Sequence, residues 1–297
     1  MKSKLTLIAS LLILLSCKNV SSISTVKNNV CKSLVKETLV FAVFVDSKGT
    51  HPWTEYDINS TLDSLKRACH WLEDQADKAG KTLNIQLEYA RNIKKNCIPF
   101  REEFKYDGLS ATLFKYRRLS KGIALVDNWS DNISKDVARS LPDDDSELIL
   151  TENRSNSRER LIAKLRNQYK TDNVAVLFFI NNYFENELSV ALHTGSNSET
   201  EYAVVSTKNP AVIAHETLHL FGALDLYITH FESSLFERRR KRAAMRKFPN
   251  EIMAFTHRDI DSLELSPASR YLIGWQNNLS KKEARILVSR AKKLINY

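Results

Sequence analysis

The sequence predicts an α/β (α+β) protein built on a mixed, mostly parallel twisted sheet flanked by helices. Three observations carry that expectation. The apolar run Leu39 to Val45 reads as a buried strand. Residues Asp57 to Ala79 put Ile58, Leu62, Leu65, Ala68, Trp71 and Leu72 at helical spacing. Leu83 to Tyr89 then alternates like a second strand. A strand–helix–strand crossover makes its two strands parallel neighbours. A composition with 43% hydrophobic residues supports a buried core rather than disorder.

The elements follow in order. Asp46-Ser47-Lys48-Gly49 turns the chain out of the first strand, and Gly80 closes the first helix. Residues 91 to 155 carry weaker signals. Trp129 to Leu141 reads as a helix. Asp143-Asp144-Asp145 with Glu147 reads as a solvated acidic turn, since a calcium loop needs a glycine and alternate ligand spacing. Arg158 to Tyr169 forms a helix with Leu161, Ile162 and Leu165 inward, and Val174 to Ile180 a central strand. Leu188 to His193 and Tyr202 to Ser206 are two more strands, split by Thr194-Gly195-Ser196-Asn197. His193 could line a cleft, but a histidine on a strand is more often structural. Asn209 caps the next helix, with Pro210 at its first position. Ser266-Pro267 opens a helix that Gly274 stops, and Ser280 to Ile295 is a final basic helix on the outside.

The amino terminus reads as a targeting segment. Lys2 and Lys4 precede an apolar run from Leu5 to Leu15, too short for a comfortable membrane span. Residues 1–16 are therefore expected to be a signal peptide. Leu14-Leu15-Ser16-Cys17 resembles the bacterial lipobox, with acylation of Cys17 as its consequence. That would anchor the chain by lipid in the bacterial cell envelope, on a periplasmic or outer-membrane face. The alternative is a secreted protein in which Cys17 is incidental. Residues 17–36 then form a flexible tether, 37–279 the folded domain and 280–297 a helical extension. Cys31, Cys69 and Cys97 remain, which allows at most one disulfide plus a free thiol.

The net charge is +9, and part of it is concentrated in Arg238-Arg239-Arg240-Lys241-Arg242. This run reads as a loop or helix near the functional residues. Its plain reading is a solvated face, and the other is attraction of acidic substrates or anionic head groups. It is one cluster without a nucleic-acid-binding fold, so no nucleic-acid partner is expected.

The chemistry-bearing stretch is His215-Glu216-Thr217-Leu218-His219-Leu220-Phe221-Gly222-Ala223-Leu224-Asp225. Histidines four apart share one helix face and can converge on one ion. A borderline-soft divalent zinc suits imidazole ligands. Glu216 leaves the helix at another angle and can serve as general base toward a water. Gly222 suits a sharp helix end. Asp225, three residues further on, can swing its carboxylate back beneath the imidazoles as a third ligand.

This stretch resembles the zinc signature of the metzincin metallopeptidases, H-E-x-x-H-x-x-G-x-x-H, with Asp225 in the last position as in snapalysin-like enzymes. The resemblance covers roughly residues 174 to 275 and, through the first strand–helix–strand unit, reaches back to about 37. It implies a zinc helix below an edge strand that binds extended substrate, followed by a Met-turn and a carboxy-terminal helix. Met253, within Pro249-Asn250-Glu251-Ile252-Met253-Ala254, takes the Met-turn position. The implied activity is that of a zinc endopeptidase hydrolysing peptide bonds in proteins or peptides. One Zn²⁺ is held by His215, His219 and Asp225, and Glu216 is the catalytic base. His257 and Tyr227, near the motif, are candidate oxyanion helpers. Two other readings stand. In a gluzincin-type peptidase Glu251 would be the third ligand. In the other, a lipoprotein binds zinc without catalysis. The oligomeric state is not legible.

Overall fold

The structure is a computed structural model that describes residues 31, 33–47, 51–95, 109–142, 157–181, 189–194, 200–228 and 235–287. The signal segment, Cys17, Cys97 and the acidic Asp143–Glu147 turn lie outside these residues. Five strands make one sheet: β1 (Lys36–Ser47), β2 (Leu83–Lys95), β3 (Asn173–Ile180), β4 (Val190–Leu192) and β5 (Tyr202–Val205). Their order is β2-β1-β3-β5-β4. The pairs β1·β2, β1·β3 and β3·β5 are parallel, and β4 runs antiparallel to β5. Seven α-helices occur among the described residues: α1 (Glu55–Lys78), α2 (Leu109–Ser140), α3 (Ser157–Tyr169), α4 (Pro210–Leu220), α5 (Leu235–Lys247), α6 (Pro267–Leu272) and α7 (Lys281–Leu287). The predicted class, a mostly parallel mixed sheet between helices, matches this arrangement. No described helix is long and apolar enough to cross a membrane.

Strand alternation sorts the core into two layers. On β1, Leu39, Phe41, Val43 and Val45 face one side, and Val40, Ala42 and Phe44 the other. The first set packs with Trp129 and Ile133 of α2 and Leu161 and Leu165 of α3. The second packs with Leu65 and Leu72 of α1 and Ile213 and Leu218 of α4. All eight residues of β3 are buried. At about 1.5–3 kcal/mol per buried large apolar side chain, this central strand is a major contributor to stability.

Several boundaries differ from the sequence reading. Cys31 and Leu34 are fully buried, so packing starts before residue 36, inside the span expected to be a tether. Helix α2 starts 20 residues before Trp129, at Leu109. Strand β2 runs past Tyr89 to Lys95, and the strand expected from Leu188 is described only over Val190–Leu192. Cys31 and Cys69 are buried free thiols, so neither supplies the allowed disulfide. Burial pushes the Cys69 thiol up to about 12, which leaves it unreactive. Helix α7 packs through Leu287 against Ala268 and Leu272 of α6, so residues 281–287 belong to the packed body.

The segment after α5 is fastened to α1. Trp71 Nε1 donates to Leu263 O at 3.3 Å, and Leu265 N donates to Gln75 Oε1 at 3.2 Å. Arg67 bridges Asp259 and Asp261 at 2.8 and 2.6 Å, an exposed set that adds little. These bonds fix the platform on which α4 rests.

Candidate metal centre

Helix α4 starts as expected. The Asn209 side chain accepts from Ala211 N at 2.9 Å, and Pro210 occupies the first turn. Its far end decides the site. Gly222 N donates to His219 O at 3.0 Å and Ala223 N to Leu218 O at 3.1 Å, with Gly222 at φ 98°. This is a Schellman closure, and only glycine adopts that conformation without strain. It reverses the chain so that Asp225 returns under the helix.

Three atoms meet there. His219 Nε2 lies 3.0 Å from His215 Nε2 and 2.9 Å from Asp225 Oδ1, and His215 Nε2 lies 3.2 Å from Asp225 Oδ1. Ligands around a tetrahedral ion with bonds of 2.0–2.1 Å stand about 3.3 Å apart, close to this triangle. The remaining ring nitrogens face backbone carbonyls: His219 Nδ1 to Ala223 O at 2.8 Å, and His215 Nδ1 to Ile252 O at 3.3 Å. A carbonyl only accepts, so each Nδ1 carries a proton, and each ring turns its Nε2 toward the other two atoms, the nitrogen through which it would bind an ion. Two lone pairs and a carboxylate oxygen at about 3 Å repel unless they share a cation. This donor set could hold a metal ion.

No family model, curated protein or solved structure matches this chain. The reading therefore rests on geometry and electrostatics. With protons rather than an ion among these atoms, burial alone would lower the His219 pKa. The Asp225 carboxylate outweighs that and holds it up to about 9. Burial would raise Asp225, yet the two imidazoles keep it well below the usual carboxylate range. Either way the pocket demands positive charge.

Glu216 is buried beside the triangle without joining it. Burial pushes its carboxyl above the usual range, and the charges on His215 and His219 oppose that rise. The nearby backbone N–H of Ala191 on β4 also opposes that rise. The site opens into a cleft lined among others by Val190, Ala191, Glu216, Asp225 and Tyr227. Among the described residues β4 is the outermost strand of the sheet, and it forms one wall of the cleft.

The turn at Met253 is present. Ala254 N donates to Glu251 O at 3.0 Å, closing a tight turn with a fully buried Met253 at its third position. Leu226 N donates to Met253 O at 2.8 Å, so the segment after Asp225 is tied to the turn. Glu251 is not a ligand in this arrangement. Its carboxylate accepts from Met253 N at 3.1 Å, Ser266 N at 2.6 Å and Ser269 Oγ at 3.1 Å. With three donors to serve, it braces the turn, which overturns the reading of Glu251 as third ligand.

The two proposed helpers separate. Tyr227 lines the cleft, with its ring 6.0 Å from that of His215. His257 is exposed, its ring 6.1 Å from Phe255, and it is not among the residues lining the cleft. His193 is structural: its Nε2 meets Asp127 Oδ1 at 2.7 Å. Sequence reasoning missed the Ala191 N–H, the two carbonyls that orient the imidazoles, and Lys241, whose ammonium lies 5.9 Å from the Tyr227 ring centroid. Backbone partners leave no mark in residue identity. The Gly222 signal implied a turn but not which carbonyl it presents.

Proposed function

We propose that this chain is a zinc-dependent endopeptidase of metzincin-like design. The observation that carries the reading is the triangle of two Nε2 lone pairs and Asp225 Oδ1, with the Glu216 carboxylate beside it and an open cleft above. His215, His219 and Asp225 would hold one Zn²⁺, for which imidazole and carboxylate are suited ligands. When bound, the ion supplies Lewis acidity, polarising a carbonyl oxygen and acidifying water. The rest falls to the chain itself. Among the described residues β4 is the outermost strand of the sheet, along which an extended peptide would lie as an added strand. Glu216, raised by its burial, takes a proton from the attacking water and returns it to the leaving amine. Tyr227, which lines the cleft, would donate its hydroxyl toward the developing oxyanion. Asp225 adds a negative charge where a third imidazole would be neutral, which tempers the acidity the ion can impart.

Metal analysis paired with a peptide-library digestion tests this. The chain is expected to hold one zinc and to cut peptides. Glu216→Gln is expected to keep the zinc and lose about 10²–10⁴-fold in cleavage, the usual share of a general base. Undiminished cleavage by Glu216→Gln would remove the mechanism. Full zinc with no cleavage of any unfolded protein would leave a binding module instead.

A further inference from the structure

Helix α5 carries the basic run and sorts its residues by face. Glu237, Lys241 and Ala244 are buried, one turn apart, and Lys241 sits above the Tyr227 ring at the cleft. The opposite stripe, Leu235, Arg239, Arg242 and Arg246, is exposed. Phe236 stands beside Leu235 at the start of the helix. These two side chains are 65% and 75% exposed, respectively, among the few large apolar side chains so exposed. The one acid of α5, Glu237, is turned inward, so the outer stripe holds cations and no carboxylate. None of Arg239, Arg242 and Arg246 makes an ion pair among the described residues. Helix α7 packs beside α5 through Lys247–Glu283 at 3.0 Å and adds exposed Lys281, Lys282 and Arg285. Its only acid, Glu283, is engaged by Lys247 and Ser280.

We propose that the outer face of α5 docks on an anionic lipid bilayer, with Leu235 and Phe236 entering the head-group boundary and the arginine stripe lying along the phosphates. The cations alone would suit any polyanion. The two apolar side chains at the end of the stripe decide between partners. An acidic polypeptide gives them nothing to enter, whereas a bilayer offers a nonpolar phase directly beneath its negative layer. Docked in this way, the buried side of α5 holds the Tyr227 rim of the cleft close to the lipid surface, so polypeptide segments near the membrane would meet the cleft first. The surface is independent of whether the cleft cuts peptides, and its test reads binding alone.

The full chain is mixed with vesicles of phosphatidylcholine, with or without phosphatidylglycerol at roughly a third of the lipid, and the bound fraction is measured by sedimentation. The amino-terminal segment, with Lys2 and Lys4, is common to the parent chain and every variant, so the readout is how the ratio of anionic to neutral binding changes from parent to variant. That ratio is expected to be large at low salt and to fall steeply as salt screens the charges. Combined Arg239→Gln, Arg242→Gln and Arg246→Gln should reduce it roughly fivefold per residue, on the order of a hundredfold in total. A control removes three exposed cations elsewhere, with Lys66→Gln, Lys78→Gln and Lys135→Gln, and should keep most of the ratio. Leu235→Ser with Phe236→Ser should weaken anionic binding that survives at high salt. An undiminished ratio in the arginine variant, or equal loss in both triple variants, would overturn the proposal. So would polyglutamate binding as tight as vesicle binding and indifferent to Leu235→Ser and Phe236→Ser, which would assign the face to acidic polypeptides.

Discussion

Each side of the sheet carries a histidine–aspartate cluster, and the two clusters are opposites. On the α4 side, His215 Nε2, His219 Nε2 and Asp225 Oδ1 converge on one another. On the α2 side, Asp127 Oδ1 is surrounded by donors: His193 at 2.7 Å, the Tyr202 hydroxyl at 2.8 Å and Arg158 Nη1 at 3.3 Å. Burial would raise Asp127, but His193 and its other partners hold it below its ordinary value. Similar residue types thus make one cluster whose donors and acceptors pair within the chain and one whose donor set could hold a metal ion. What distinguishes a metal site from a structural hub is the balance of donors and acceptors. The backbone sets that balance: Ala223 O and Ile252 O claim the Nδ1 protons and leave the Nε2 lone pairs inward.

Substitution of the two aspartates breaks the comparison most directly. Asp225→Ala should lower zinc affinity by more than about a hundredfold, the usual ceiling for residues that only support a ligand. Its fold should survive, as read by circular dichroism. Asp127→Ala should leave zinc affinity nearly unchanged in the folded protein. It should cost about 3 kcal/mol in denaturant unfolding, because Arg158 stays buried without its carboxylate. If Asp127→Ala lost zinc as readily, the two clusters would not be independent.

Glu251→Gln tests the brace. A buried acceptor of three hydrogen bonds is weakened, so about 1–3 kcal/mol of stability should go while zinc stays. Loss of zinc there would restore Glu251 as a ligand.

Proton competition sharpens the contrast further. The metal-free site holds a proton on His219 up to about 9. Zinc must displace that proton, so affinity should rise about tenfold per pH unit from neutrality toward 9, measured by competition with a chelator. The sign reverses for the stability of the metal-free chain. A histidine raised above its unfolded value stabilises fully below about 6.5, and that contribution fades as pH rises through about 9. The smallest effect expected is for Met253→Leu, a volume-conserving change in a fully buried turn. It should cost under about 1.5 kcal/mol and leave zinc in place.

Much of this was legible in the sequence because the signals were periodic or local. Apolar runs at β1 and β3 declared buried strands, and Asn209, Pro210 and Gly222 declared both ends of α4. Helix α2 was read only from Trp129, since Leu109 to Lys121 mixes apolar and basic residues without a clean stripe. Glu251 looked like a free carboxylate near the motif. Its partners Ser266 and Ser269 lie 15 and 18 residues away, a distance at which pattern reading is blind. His257 failed for the related reason that nearness along the chain does not set direction in space.

The bonds around the site form a closed circuit. It runs from the Met253 turn through Ile252 O to His215, along α4 to His219, through Ala223 and Asp225 to Leu226, and back to Met253 O. A side chain in such a ring cannot shift alone. Damage at two points on it should therefore sum to less than the separate damages, and the ligand set should let go as a unit.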